Sequence, residues 1–243
     1  MNRFFSFIIL LSFFVFQSCG NSDRLEIKGT PEAVNMTESM LKALGGKKAW
    51  QKLNSVYIRT IVRVASEGEP YFSEEWTNLN EPKFMNKRSE DNTSSINIID
   101  GNDGWHIQGA RMEMIPPQRV TAYLRWYDQY FLRVVKQIAL EDEKVEVRKT
   151  VENQLEVFIN DKFAAGFELN SDNLPEKYYT RNSGGKQTTL HFKEYSEYKG
   201  YKFPLEIQVE AIFASYHTDY FDPSHLEAEK AFNVSFDPNK IIQ

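Results

Sequence analysis

Two periodicities in the sequence separate extended segments from helical ones. Apolar and polar side chains alternate with a period of two from Val56 to Val64, and the same alternation returns further along the chain. The later segments are residues 155–159, 163–169, 190–192, 205–213 and 232–236. Strict alternation is typical of antiparallel strands that bury one face and expose the other. With the turn signals between segments, it predicts a mainly β (α+β) fold of roughly ten strands, whose sheet must curl or close.

A helical period appears in three places. Thr30 is a predicted N-cap of a first helix, which Gly45-Gly46 ends, and residues 47–53 predict a short second helix. From 118 to 140, apolar residues recur at helical spacing over about six turns. This segment predicts one long amphipathic helix across the concave side of the sheet.

The basic face of the long helix leaves two interpretations open. That face carries Arg119, Arg125, Gln129, Arg133 and Lys136. In the first interpretation, the apolar stripe belongs to the core and the basic face is solvated. In the second, the helix is a movable plug over a lipid-sized cavity, and its cationic side meets anionic head groups or an acidic partner.

The N-terminus predicts export. Arg3 precedes an apolar stretch that is too short for the ~20 residues of a membrane span, which is typical of a secretory signal. Residues 16–20, with Cys19, resemble a lipobox; this implies cleavage before Cys19 and acylation of its thiol and amine, with palmitate among the chains. We expect a signal peptide at 1–18, a lipidated N-terminus and tether at 19–29, and a single domain at 30–243. An ordinary signal peptide with an incidental cysteine is the alternative.

Composition removes several classes of function. The chain has a net charge of −5 and no long basic run, which argues against nucleic acid as a partner. Cys19 is the only cysteine, so an internal disulfide and a thiolate zinc site are both excluded. The sequence also lacks a phosphate loop, a nucleophile elbow and an HExxH motif. We therefore expect a non-enzymatic protein without a cofactor or metal.

The candidates for catalysis are weak. A cluster from His217 to His225 contains two imidazoles and two carboxylates, which leaves a metal-assisted hydrolase as an alternative. Glu74 and Glu75 are neighbours in a predicted strand, so they point to opposite faces and cannot share a site. We interpret His106 and His191 as hydrogen-bonded structural residues.

Three stretches together resemble the outer-membrane lipoprotein-sorting, LolA/LolB-like family. They are residues 43–53 before the first strand, the strand-turn-strand at 100–105, and the late hairpin segments 174–177 and 198–207. The resemblance implies a curved, antiparallel, incomplete barrel wrapped around a few helices and enclosing an apolar cavity. It also implies lipid or lipoprotein acyl chains as partners. The family's cavity arginine cannot be assigned to one position, because Arg59, Arg63 and others compete.

The resulting hypothesis is an envelope protein, anchored in the outer membrane by its lipid and facing the periplasm, that binds a lipid or acyl chain. The predicted lining of its cavity is Ile58, Val62, Trp76, Trp105, Tyr123, Tyr127 and Phe131. The alternative is an interaction or scaffold lipoprotein whose concave face is filled by its own side chains. The sequence does not indicate an oligomeric state.

Overall fold

The computed structural model describes residues 25–64, 71–90, 93–211 and 214–218. The predicted signal peptide, Cys19 and the predicted strand at 232–236 lie outside these ranges. So do Asp219, Asp222 and His225 of the ligand-like cluster.

Fourteen strands in the described residues form one continuous sheet. They are β1 (Lys28–Gly29), β2 (Ser55–Val64), β3 (Tyr71–Asn78), β4 (Lys83–Glu90), β5 (Thr93–Asp100), β6 (Asp103–Gln108), β7 (Arg111–Met114), β8 (Val145–Val151), β9 (Gln154–Ile159), β10 (Lys162–Leu169), β11 (Pro175–Arg181), β12 (Gln187–Tyr198), β13 (Tyr201–Ala211) and β14 (Ala214–Thr218). The mainly β class is confirmed, but the number of strands exceeds the predicted ten. Strands such as β4 place polar residues on both faces, so their period of two is hidden in the sequence.

The sheet has two halves that meet at β14. Strand β1 and strands β8 to β13 form one half, β2 to β7 form the other, and β14 pairs with β13 on one side and β2 on the other. Every pairing is antiparallel except β1 with β8. The outer strands β1 and β7 do not pair with each other, so the curved sheet remains open, as the predicted incomplete barrel requires.

Four helices accompany the sheet in the described residues: α1 (Pro31–Ala43), α2 (Lys47–Lys52), α3 (Pro117–Asp128) and α4 (Phe131–Leu140). The predicted cap of α1 is confirmed, because the Thr30 hydroxyl accepts a hydrogen bond of 3.3 Å from the Ala33 amide. Part of the predicted tether contacts the rest of the structure. Leu25 is buried and its amide donates to Glu38, and Lys28 and Gly29 pair with β8.

The prediction of one long helix over 118–140 is wrong, because the segment forms α3 and α4 with a break at Gln129 and Tyr130. Tyr130 has extended backbone angles of φ −71° and ψ 125°. The hydroxyl of Tyr178 donates to the Gln129 carbonyl at 2.6 Å, and the Gln129 side-chain amide donates to the Arg181 carbonyl at 2.9 Å. The bond from Tyr178 satisfies the Gln129 carbonyl, which a continuous helix would have paired internally, and the bond to Arg181 fixes the Gln129 side chain on β11.

The two halves of that segment belong to different cores. Helix α4 is almost entirely buried in the main core with α1, α2 and strands β8 to β13, where Phe131 packs against Phe167 and Phe192. Helix α3 lies over β4 to β6 and buries little more than Val120 and Tyr127. The core interpretation therefore holds for α4, whereas α3 is a lightly attached cover.

The predicted basic face is not uniformly solvated. Arg119 and Arg125 are exposed on α3. Lys136, however, is only 1% exposed, and its ammonium group donates to the Gln51 carbonyl and the Asn54 side chain at 3.2 and 3.3 Å. Burial lowers the pKa of Lys136. The basic residues of α4 are thus structural, since the sheet and α2 enclose that helix on several sides.

Candidate functional site

An apolar cavity of about 430 Å³ lies where the two halves of the sheet meet. Its walls come from β2 and β3 on one side of the seam, from β11 to β13 on the other, and from the α3–α4 junction above. Aliphatic and aromatic side chains predominate, among them Leu190, Phe203 and Ile207. A volume of this size is within the range of pockets that bind small molecules.

A second cavity of about 450 Å³ lies beside it, under α3, and polar or charged residues make up half of its lining. Strands β3 to β5 contribute Glu75, Asn86 and Asn97 to its floor. Helix α3 contributes Arg119 and Trp126 above them. We refer to the two spaces as the apolar cavity and the polar cavity.

Glu75 and Trp126 line both cavities and therefore stand at their boundary. The Glu75 carboxyl accepts hydrogen bonds from the Thr77 hydroxyl, at 3.0 Å, and from the hydroxyl of Tyr130 at the helix break. Burial raises the pKa of Glu75 despite these bonds. Burial, together with the neighbouring Glu75 charge, also raises the pKa of Tyr130 well above its usual value. The residue at the boundary, Glu75, is thus an acid whose ionisation is disfavoured by burial.

Glu74 points the other way, as predicted for neighbours in a strand. Its carboxylate accepts a hydrogen bond of 2.7 Å from the Tyr57 hydroxyl and pairs with Lys87 at 3.2 Å. Of these two neighbours, only Glu75 lies on the concave face. The sequence analysis considered it only as half of a carboxylate pair, and only the register of β3 with its neighbours reveals its position.

Four of the predicted lining residues lie at the cavities. Ile58, Val62 and Phe131 line the apolar cavity, and Tyr123 lines the polar cavity. The structure thus brings together the strand and helix positions that the sequence analysis selected separately.

The other three predicted lining residues lie elsewhere. Tyr127 is buried in the small core, stacked on Phe84 at 6.1 Å, with the Arg133 guanidinium 4.6 Å from its ring centre. Trp76 packs against Tyr57 on the opposite face of the sheet from Ile58 and Glu75. Trp105 occupies that same outer face, because its neighbour Gly104 faces Val120. Alternation along a strand separates its residues into two sets, but pairing with neighbouring strands is needed to show which set faces the cavities.

The remaining candidates for chemistry add no second site in the described residues. His106 donates a hydrogen bond to the Asn97 side chain at 2.9 Å, which fits its predicted structural role. No three side chains among His, Cys, Asp and Glu come together there as metal ligands. Nor is any helix in that part of the chain both long and apolar enough to cross a bilayer.

Comparison with known proteins shows similarity only at the level of structure. No protein-family model matches the chain, and no curated protein is similar enough in sequence to match it. Among solved structures, a DUF1329 family protein from Desulfovibrio piger aligns with a TM-score of 0.51 and 10% identity, over 77% of this chain and 90% of that one.

Two further structures align at slightly lower scores. A LolA superfamily protein from Nitrosomonas europaea gives a TM-score of 0.49 and 14% identity, over 76% of this chain and 91% of that one. A domain described as an outer membrane lipoprotein-sorting protein from Vibrio parahaemolyticus gives 0.49 and 17%, over 85% and 100%.

At 10% identity, the likeness to the Desulfovibrio piger protein shows a shared fold alone. The architecture expected from the sequence is present: a mainly antiparallel, open β-sheet curves around helices.

Proposed function

We propose that this chain is a lipid-anchored, non-enzymatic envelope protein that binds an acyl chain of a lipid or lipoprotein in the apolar cavity. The observation that carries the proposal is the cavity itself, an apolar space of about 430 Å³ at the seam of the sheet. A fold that only packed its own side chains would have no need of such a space, since protein interiors are close-packed.

Burial of apolar surface supplies the driving force for binding. Each Å² of apolar surface that leaves water contributes about 25 cal/mol, and an acyl chain in contact with Ile58, Leu190 and Ile207 would bury most of its surface. No proton transfer or nucleophile is required. The polar groups around the cavity would orient a ligand rather than react with it.

The N-terminal sequence supports the anchored part of the proposal. Cys19 in its lipobox-like setting would carry the acyl chains, and stable anchoring requires more than one chain. Attachment at the periplasmic face of the outer membrane would place the cavity next to a supply of lipids. Exchange with that membrane would proceed past α3, which is the lightly attached helix.

Native mass spectrometry with lipid extraction, on the mature chain purified from the envelope, tests the proposal. We expect a co-purifying lipid or acyl species in stoichiometric amount. Leu190 is half-buried at the cavity, so Leu190→Trp fills the space and should abolish retention. Val151→Trp makes a comparable change at a side chain that is 53% exposed and should retain the ligand.

The opposite results would overturn acyl-chain binding. A compact, lipid-free protein that also fails to bind fluorescent fatty acids would favour an interaction protein with a filled interior. Equal lipid retention by Leu190→Trp and the unchanged chain, with both folded by circular dichroism, would place any ligand outside the apolar cavity.

A further inference from the structure

A row of polar side chains crosses the concave face of the sheet beneath α3. Glu75, Asn86, Asn97 and His106 lie directly opposite one another on β3, β4, β5 and β6. Neighbouring strands are about 4.8 Å apart, so the row extends over roughly 14 Å. A sheet face covered by a helix is ordinarily apolar. This polar row is therefore a departure that packing alone does not require.

Hydrogen bonds hold the row in a fixed arrangement. The Asn86 side-chain amide donates to the Ser73 hydroxyl at 2.9 Å, and His106 donates to the Asn97 oxygen at 2.9 Å. Each carboxamide has two donor hydrogens and an oxygen that accepts twice, so one bond leaves capacity for others. Asn86 and Asn97 line the polar cavity, where that capacity is available to a ligand.

We propose that this row binds the polar head group of the same amphiphile whose acyl chain occupies the apolar cavity, and that the head is uncharged and bears several hydroxyl or amide groups. The inference rests on the proposed function. It adds the class of head group and the residues that select it.

The adjacency of the two cavities supports this assignment. Glu75 and Trp126 line both spaces, so a ligand that extends past these two side chains would place its chain on one side of the boundary and its head on the other. Tyr123 and Trp126 also line the polar cavity, and aromatic rings of this kind suit the flat apolar side of a hydroxyl-rich ring.

The charges around the row favour an uncharged head. Glu75 is the acid at the inner end, and a ligand anion there would be repelled by its charged form. Arg119 is the cation that lines the polar cavity, but it is exposed, where water and salt screen it. Uncharged hydroxyl and amide groups can form hydrogen bonds with the two carboxamides, and they neither suffer repulsion from Glu75 nor depend on attraction to Arg119.

Dodecyl amphiphiles with different heads separate the head group from the chain. We would titrate the delipidated mature protein with dodecyl maltoside, dodecylphosphocholine and dodecyl phosphate below their micellar concentrations, by calorimetry. Since each hydrogen bond contributes modestly, we expect dodecyl maltoside to bind about tenfold more tightly than the other two. Asn97→Leu should remove most of that preference, because dodecyl maltoside loses a hydrogen-bonding partner in the row.

Matched variants keep the test decisive. Asn86→Leu is a second, independent change in the row, and Asn35→Leu makes the same change on the exposed side of α1. Equal affinity of the unchanged protein for all three heads would overturn the inference while leaving acyl-chain binding intact. A preference for dodecyl phosphate that disappears in Arg119→Gln would also overturn it, in favour of an anionic head. Failure of every dodecyl amphiphile to bind would instead overturn the proposed function.

Discussion

The Tyr178 hydroxyl donates a hydrogen bond of 2.6 Å to the carbonyl of Gln129, the residue at which α3 ends. Tyr178 lies on β11 within the main core, whereas α3 covers the other half of the sheet. The bond therefore ties the helix break to the strand wall of the apolar cavity. Both residues line that cavity, so the shape of its roof depends on this contact.

Replacement of Tyr178 by phenylalanine tests the importance of this bond. Tyr178→Phe removes the donor and leaves the carbonyl of the half-buried Gln129 without this partner, so we expect the free energy of unfolding to fall by about 1–3 kcal/mol. Urea denaturation measures the change. Tyr123→Phe, on the half-buried side of α3, is the control and should alter stability by less than about 0.5 kcal/mol. Equal midpoints for the two variants would show that the bond does not stabilise the break.

Features that depend on neighbouring residues could be predicted from the sequence, whereas features that depend on contacts between distant residues could not. The Thr30 cap and the alternation in β2 depend on residues close in the chain, and both are present in the structure. The break at Gln129 depends on Tyr178, which is 49 residues away, so helical spacing continued across it undetected. The polar row has the same character, because Asn86 and Asn97 become neighbours only through strand register.

The contact between Gly45 and Gly200 predicts an unequal effect of alanine at two adjacent glycines. Gly45 has φ 118° and Gly46 has φ 89°, backbone angles that side chains with a Cβ rarely adopt, so alanine at either position costs about 1–3 kcal/mol. A Cβ at Gly45 would also lie 2.1 Å from the Gly200 carbonyl oxygen, whereas one at Gly46 meets nothing within 4 Å. We expect Gly45→Ala to lose about 1–3 kcal/mol more stability than Gly46→Ala in urea denaturation. Equal losses of stability in the two variants would refute the close packing of the end of α1 against the backbone at Gly200.

Removal of the predicted lipid attachment should change the location of the protein. Cys19→Ala eliminates the only thiol that could be acylated, so we expect the protein to move from the membrane pellet to the soluble periplasmic fraction. Ser18→Ala keeps a small residue before the cysteine and should leave the protein in the pellet. A Cys19→Ala variant that still pellets with membranes would show that the acyl anchor is not the sole attachment.

Glu75 and Glu74 should respond to neutralisation in opposite directions. The folded-state pKa of Glu75 is raised above 4.5, so the native state binds more protons than the unfolded state and stability declines as pH rises through that region. Glu75→Gln removes this cost and should stabilise the protein at neutral pH, by about 1.4 kcal/mol for each unit by which the pKa is raised.

Glu74 is the matched control on the outer face. Although burial opposes ionisation, hydrogen bonds from Tyr57 and Lys87 lower its pKa, so its contribution is present above pH 4.5 and is lost as the pH falls. Glu74→Gln should therefore destabilise the protein at neutral pH. Urea denaturation midpoints, measured from about pH 4 to about pH 8, distinguish the two carboxyls. If Glu75→Gln also destabilised the protein at neutral pH, the hydrogen bonds from Tyr130 and Thr77 would outweigh the cost of burial, and Glu75 would be a structural acid rather than a strained boundary between the cavities.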